Sequence, residues 1–395
     1  MQTLTELLTL TVNKGASDLH LKAGSPPLIR LHGELVPLEF PVLDSTQTRE
    51  LSFSCVSKQQ AQRFQSDYEL DFAIDIPELA RFRGNLYYQR GETQSCFRVI
   101  PNRVKSIEEL NLPPVCKFFT ERPRGLVLVT GPAGSGKSTT QAAMIDYING
   151  ARPVHIVTIE DPIEFVHTDR KALINQRELD QDTHSFANAL RAVLRQDPDV
   201  ILVGEMRDLE TVSLAVTAAE TGHLVFGTLH TTDAVQTIDR VIDVFPQHQQ
   251  QQIRMQISVN LIGIVSQTLV KAKGGGGRVA AFETLVGIPS VRTIIREAKN
   301  YQLYSMIQTG AKQGMMTLDQ SLANLVNQGC VDFEDGLEKA QNIAEYRALC
   351  AVGQQQPGDM AEPGHASNDL QPTVDADARK PGGSASLKSI FGIRI

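Results

Sequence analysis

Apolar residues recur along this chain in two rhythms. Near the start, Leu4, Leu7, Leu8 and Val12 fall at i, i+3, i+4 and i+8, one face of a short helix that Gly15 stops. Alternating, β-rich pieces follow at Asp18 to Leu21, Leu28 to Leu31, Phe72 to Ile76, Arg81 to Gln89 and Cys96 to Ile100. Turn formers such as Gly24-Ser25-Pro26-Pro27 and His32-Gly33 separate them. Residues 1–100 therefore read as an α+β domain. Residues 101–124 read as a linker with one helix, punctuated by Pro101, Pro113, Pro114 and Pro123. From Gly125 the texture changes. Short continuous apolar runs (Leu126 to Val129, Val154 to Ile159, Val200 to Val203, Leu224 to Phe226) alternate with helical stretches, the rhythm of βαβ units and a largely parallel sheet. With a mainly helical region from Val291 to Leu349, this gives an α/β domain over 125–350. From Ala351 the chain has few apolar residues, with Gln354-Gln355-Gln356 and Gly382-Gly383-Ser384, so a disordered C-terminal tail is expected over 351–395. Its last ten residues set Leu387, Ile390, Phe391 and Ile395 among Lys388 and Arg394, either a short binding motif or an ordinary frayed terminus.

The 395 residues suit two or three domains. With 41% hydrophobic and 21% charged residues, the composition is globular rather than disordered or fibrous. A net charge of −7 gives no overall electrostatic reason to coat nucleic acid. No apolar run approaches the roughly 18 residues of a membrane-spanning helix, so no integral membrane segment is expected. Met1 to Leu10 lacks a basic region and carries Glu6, unlike a secretory signal. Five cysteines lie far apart with no CxxC pair, which reads as reduced thiols in the cytoplasm rather than a disulfide frame or zinc site.

The chemistry concentrates in four segments. Gly131-Pro-Ala-Gly134-Ser135-Gly136-Lys137-Ser138 is a full GxxxxGK[ST], placed after an apolar strand and before the helix-compatible run Thr139 to Ile148. Its glycines allow backbone N–H groups to turn inward around phosphate oxygens, and the helix N-terminus adds its positive dipole end. Gly131, Gly134, Ser135, Gly136, Lys137, Ser138 and Thr139 form the expected nucleotide cradle. Lys137 reaches the β- and γ-phosphates, and the Ser138 hydroxyl ligates Mg²⁺. In the second segment, Glu205 follows the strand Val200 to Val203, at the edge that faces the phosphate site in a doubly wound sheet, and is a second candidate metal residue. The third, Thr158-Ile-Glu160-Asp161-Pro162-Ile-Glu164, puts three carboxylates in five residues at a strand end, and spacing alone does not choose which would orient a water. The fourth runs from His223 to His230, an imidazole at each end of another apolar strand, with structural and functional roles both open.

Taken together and in this order, these segments resemble the secretion-type ATPase superfamily and, within it, the type IV pilus retraction ATPases of the PilT/PilU type. The match is carried also by Gly15-Ala-Ser-Asp18-Leu-His20-Leu, Ala80-Arg81-Phe-Arg83, Phe97-Arg98, Asn175-Gln176-Arg177-Glu178, Gly204-Glu205-Met-Arg-Asp208 and Thr217 to Gly222, and spans about residues 1–345. The resemblance implies a PAS-like N-terminal domain followed by a RecA-like P-loop ATPase core, assembled as a homohexameric ring with ATP and Mg²⁺ at subunit boundaries. It implies Glu164 as the catalytic glutamate, Glu205 as the Walker B glutamate and His230 near the γ-phosphate. It also implies Arg81, Arg83 and Arg98 as arginines reaching toward nucleotide, where a guanidinium neutralises charge on the transferring phosphoryl group.

The missing CxxC pairs, which the pilus-assembly and type II secretion branches carry, favour retraction over assembly. Ser290-Val-Arg292-Thr-Ile-Ile-Arg296-Glu297 resembles the branch's retraction motif with two substitutions, and Ala133 stands where the family usually has Thr. A helix is expected around Ile253 to Leu269, preceded by the glutamine run Gln249 to Gln252. The implied function is a cytoplasmic ATPase, peripheral at the inner-membrane face, that powers pilus retraction and twitching through an inner-membrane platform protein. A paralogous retraction ATPase is a possible further partner. The alternatives are a pilus-assembly or type II secretion motor and an accessory retraction ATPase; a nucleic-acid motor is disfavoured by the charge and the lack of a basic, aromatic-rich stretch.

Overall fold

A computed structural model describes residues 3–31, 33–100, 103–275 and 277–353, and every structural statement below concerns these. The tail from 354 and its terminal motif lie outside them. Ala351, where the tail is expected to begin, falls inside a final helix, Ile343–Gly353.

Two sheets organise the described chain. The first contains β1 (Asp18–Leu21), β2 (Leu28–Leu31), β3 (Glu34–Pro37), β4 (Glu69–Ile76), β5 (Ala80–Gln89) and β6 (Glu92–Ile100), in the order β3-β2-β1-β6-β5-β4 with every pairing antiparallel. β5 alternates the buried Ala80, Phe82, Gly84 and Leu86 with partly exposed positions. The buried set packs with Leu4, Leu7 and Leu8 of the first helix into one apolar cluster. That helix begins at a capping box in which Thr3 and Glu6 satisfy each other's backbone N–H groups. Two further helices, Ser45–Phe53 and Lys58–Asp67, open on the same device with Asp44/Gln47 and Ser57/Gln60.

The second sheet contains β7 (Gly125–Thr130), β8 (His155–Glu160), β9 (Leu173–Glu178), β10 (Val200–Val203), β11 (Leu224–Leu229), β12 (Leu261–Lys271) and β13 (Arg278–Val286). The order is β13-β12-β7-β11-β10-β8-β9. All neighbours are parallel except β12 and β13. β7, β10 and β11 are buried at every position, as strands covered on both faces must be. The connecting helices include Lys137–Ala151, Phe186–Val193, Leu209–Glu220 and Ala234–Asp243.

One expectation is corrected here. The helix expected around Ile253 to Leu269 is a helix at Gln247–Asn260, containing the glutamine run, followed by β12 from Leu261. The run Leu261-Ile-Gly-Ile-Val is apolar at every position, so its periodicity cannot separate a buried strand from a buried helix. Pairing with β7 on one side and β13 on the other decides for the strand. Among the described residues, no helix is long and apolar enough to cross a membrane.

Candidate nucleotide site

The parallel pairing brings the C-terminal ends of β7, β8, β10 and β11 to one edge, where ligands bind in open α/β sheets. The glycine loop follows β7, the three-carboxylate segment ends β8, Glu205 lies two residues past β10, and His230 directly follows β11. They line one cleft of about 840 Å³, to which the first sheet contributes Arg83 and Arg98.

The glycine loop is held from behind. Gly131 has φ +144°, and a Cβ there would lie 2.2 Å from the Gln267 carbonyl oxygen, so only glycine fits where loop and β12 meet. The buried Gln267 side chain then spans the loop. Its Nε2 donates to the Ser135 carbonyl at 2.6 Å, and its Oε1 accepts from the Thr140 hydroxyl at 2.7 Å. Gly134, Gly136, Lys137, Ser138 and Thr139 face the cleft, while Gly131 and Ser135 are buried behind it. The Ser135 Oγ is buried without a hydrogen-bond partner among the described residues. Lys137 Nζ donates to the carbonyls of Gly131 at 2.8 Å and Pro132 at 3.0 Å. Burial lowers its pKa against the opposing pull of Glu205 and Glu164.

The acids differ sharply in setting. Glu160 Oε1 accepts from the Thr158 hydroxyl at 2.6 Å and from Gln176 Nε2 at 3.1 Å. Burial pushes this carboxyl up to about 7, overriding those hydrogen bonds. Asp161 and Glu164 are exposed on the cleft wall. Gly204 donates its N–H to Ile159 O at 2.7 Å, and a Cβ there would meet the same oxygen at 2.9 Å. The strand end is thus too close to β8 for an aspartate, and the acid appears one residue later. Glu205 Oε1 accepts from Arg207 Nε at 2.5 Å and lies 3.1 Å from His230 Nε2. Burial opposes its charge, but Arg207 and His230 outweigh it and hold the carboxyl below its ordinary range. His223, at the other end of β11, points its Nδ1 at the Ala218 carbonyl at 2.9 Å. It belongs to the helix–strand turn, and the cleft takes His230.

The three arginines part company. Arg83 pairs across strands with Arg98 in register and rests 3.6 Å from Asp71. Arg98 Nε donates to Asp18 Oδ1 at 2.8 Å. Burial penalises the Asp18 charge, yet Ser17 and Arg98 keep its carboxyl below the usual range. Arg81 is not among the residues lining the cleft. Its guanidinium donates to Glu178 Oε2 at 2.6 Å, in β9 of the second sheet. Gln267 and Arg207 escaped the sequence reading as site residues. The first was hidden by the helix assignment; the second sits beside Glu205 in the quoted Gly204-to-Asp208 segment, where a charged neighbour was the only available signal.

Residues that can hold Mg²⁺ are the Ser138 hydroxyl and the Glu205 carboxylate, both hard oxygen donors. Among the described residues no group of three or more His, Cys, Asp or Glu could hold a metal ion by itself.

Two expectations follow. Gln267→Leu, which keeps the bulk and removes both bonds, should weaken nucleotide binding about tenfold and lower the melting temperature; titration with a fluorescent nucleotide reads this. Glu160 ionises near 4.5 when unfolded and near 7 when folded, so across that window the folded state keeps a proton the unfolded state has lost. Folding stability should therefore fall as pH rises from about 4.5 through 7, and the fall should be shallower in Glu160→Gln, measured by denaturant unfolding at several pH values.

Comparison with known proteins places this geometry. The family model for type II/IV secretion system protein matches residues 105–338. The type IV pilus retractation ATPase PilT of Pseudomonas aeruginosa is 53% identical over 338 residues, covering 86% of this chain and 98% of the relative. The type IV pilus ATPase PilU of the same organism is 40% identical, covering 90% and 93%. A crystal structure of the pilus retraction motor PilT with bound ADP superposes with a TM-score of 0.83 at 46% identity, over 87% of this chain and 99% of that one. Matched by the model over more than half its length and aligned with PilT almost end to end, the chain belongs to the type II/IV secretion system protein family, in its PilT branch.

Proposed function

We propose that this chain is a Mg²⁺-dependent ATPase that powers type IV pilus retraction, and that residues 1–100, 101–124 and 125–350 act as a PAS-like domain, a linker and a RecA-like motor core. The observation that carries the reading is the convergence on one cleft of the glycine loop, Glu164, Glu205, His230 and, from the other sheet, Arg83 and Arg98. Greater identity to PilT than to PilU supports the main motor over the accessory role.

In this reading, loop N–H groups and the start of the helix Lys137–Ala151 cradle the phosphates. Lys137 leaves its two carbonyls for the β- and γ-phosphates. Glu164, exposed in the cleft, accepts the proton of the attacking water, while the half-buried, doubly hydrogen-bonded Glu160 shapes the strand end. Ser138 and Glu205 hold Mg²⁺, which when bound neutralises phosphate charge. His230, 3.1 Å from Glu205, senses the γ-phosphate through that carboxylate. Arg83 and Arg98 bring positive charge to the phosphates from a sheet that can move relative to the motor core, which turns hydrolysis into displacement. The working form is a homohexamer at the cytoplasmic face of the inner membrane, acting on a platform protein and able to pair with a paralogous retraction ATPase.

Lys137→Ala should abolish ATP turnover by the purified protein. Glu164→Gln should lower it about 10²-fold or more while nucleotide binding persists; wild-type turnover in that variant removes Glu164 from the mechanism. Deletion of the gene should leave cells with excess surface pili and no twitching, whereas loss of pili would assign the chain to assembly.

A further inference from the structure

Glu178 closes β9, in register with Glu160 at the end of β8. Its side chain is 5% exposed. One of its oxygens, Oε2, takes two donors from different parts of the fold: Arg81 of β5 at 2.6 Å and the backbone N–H of Ile163 at 3.1 Å. Its other oxygen accepts from the side-chain amide of Gln181. Ile163 lies between Glu160 and Glu164, in the segment that carries the cleft acids. Arg81 stands two residues before Arg83 on the same face of β5, so the strand that presents one arginine to the cleft anchors itself through the other. The Arg81 Nε is buried without a partner among the described residues, which leaves the bond to Glu178 as the one hydrogen bond the structure gives this guanidinium. A neighbouring tie, Arg63 to Asp180 at 2.9 Å, is about half exposed on both sides and contributes little.

We infer that Glu178 is a positioning residue, which relays the placement of Arg81, and with it the six-stranded sheet, to the segment bearing Glu164. The inference rests on the ATPase reading above and adds to it how the two sheets communicate. The physical reason is that a single carboxylate oxygen serves both donors in a site largely closed to water. If β5 withdraws, the carboxylate either follows Arg81 and abandons the Ile163 N–H, or stays and leaves two charges unpaired. Breaking one side of a buried pair is costly, so Arg81 and Ile163 cannot be displaced independently. Turnover then depends on where the six-stranded sheet lies, even though Arg81 itself stays out of the cleft lining.

The test uses the full-length chain as Glu178→Gln, Arg81→Gln and the double variant, measuring ATP turnover and peptide-level hydrogen exchange over residues 161–165. Each single variant should lower kcat about tenfold with KM for ATP within about twofold, and the double should lose no more than the worse single. Arg81→Gln leaves the Glu178 carboxylate in place, yet exchange in 161–165 should quicken; an unchanged exchange rate, or losses that multiply in the double, overturns the relay. Should Glu178→Gln fail to fold by thermal melting, Arg81→Lys and Arg81→Gln decide the matter, since only Lys keeps the charge and should keep exchange slow. Equal exchange in those two overturns the inference. Absence of turnover in the wild type counts against the ATPase reading alone, because the exchange result is read without hydrolysis.

Discussion

Everything in the cleft depends on parallel registration. β8, β10, β11 and β7 run the same way and end together, so side chains from residues 130–140, 158–165, 204–207 and 228–230 meet at one edge with no long excursion of the chain. Close approaches keep the ends in step. Gly204 lets β10 lie against β8, and Gly131 lets the phosphate loop lie against β12. A side chain at either glycine would push apart the elements whose proximity makes the site.

The electrostatics follow from that crowding. Glu205 stays charged because Arg207 and His230 stand beside it, while Glu160, desolvated among uncharged hydrogen-bond partners, does not ionise until near neutrality. Across the cleft, the β5–β6 register sets Arg83 directly opposite Arg98. Two like charges on facing strands are unfavourable unless anions stand near, and Asp71 and Asp18 supply them.

How much of this could be read from the chain itself depended on whether the signal was local. The glycine loop was legible because strand, loop and helix signals sit side by side, and the βαβ rhythm gave the parallel sheet. The helices Ser45–Phe53 and Lys58–Asp67 carry too few apolar residues to show a period, although their cap residues stand in the sequence. β12 opens on an unbroken apolar run with no period to interpret, and a helix expected there conceals Gln267. Spacing left Glu160, Asp161 and Glu164 equivalent, and left His223 equal to His230; burial and the two ends of β11 separate them. Arg81 and Arg83 look alike in sequence, and only the position of Glu178, 97 residues away, parts them.

The resting place of Lys137 has a consequence for release. Its ammonium holds two carbonyl oxygens of its own loop, so a hydrogen-bonded form of the loop exists that needs no phosphate. A departing product therefore does not strand a partly buried cation, since the ammonium returns to oxygens a short swing away. In the role proposed above, nucleotide binding at this lysine is an exchange of partners rather than the gain of a first one. An exchange of that kind trades affinity for turnover, which suits a motor that must empty its site on every cycle.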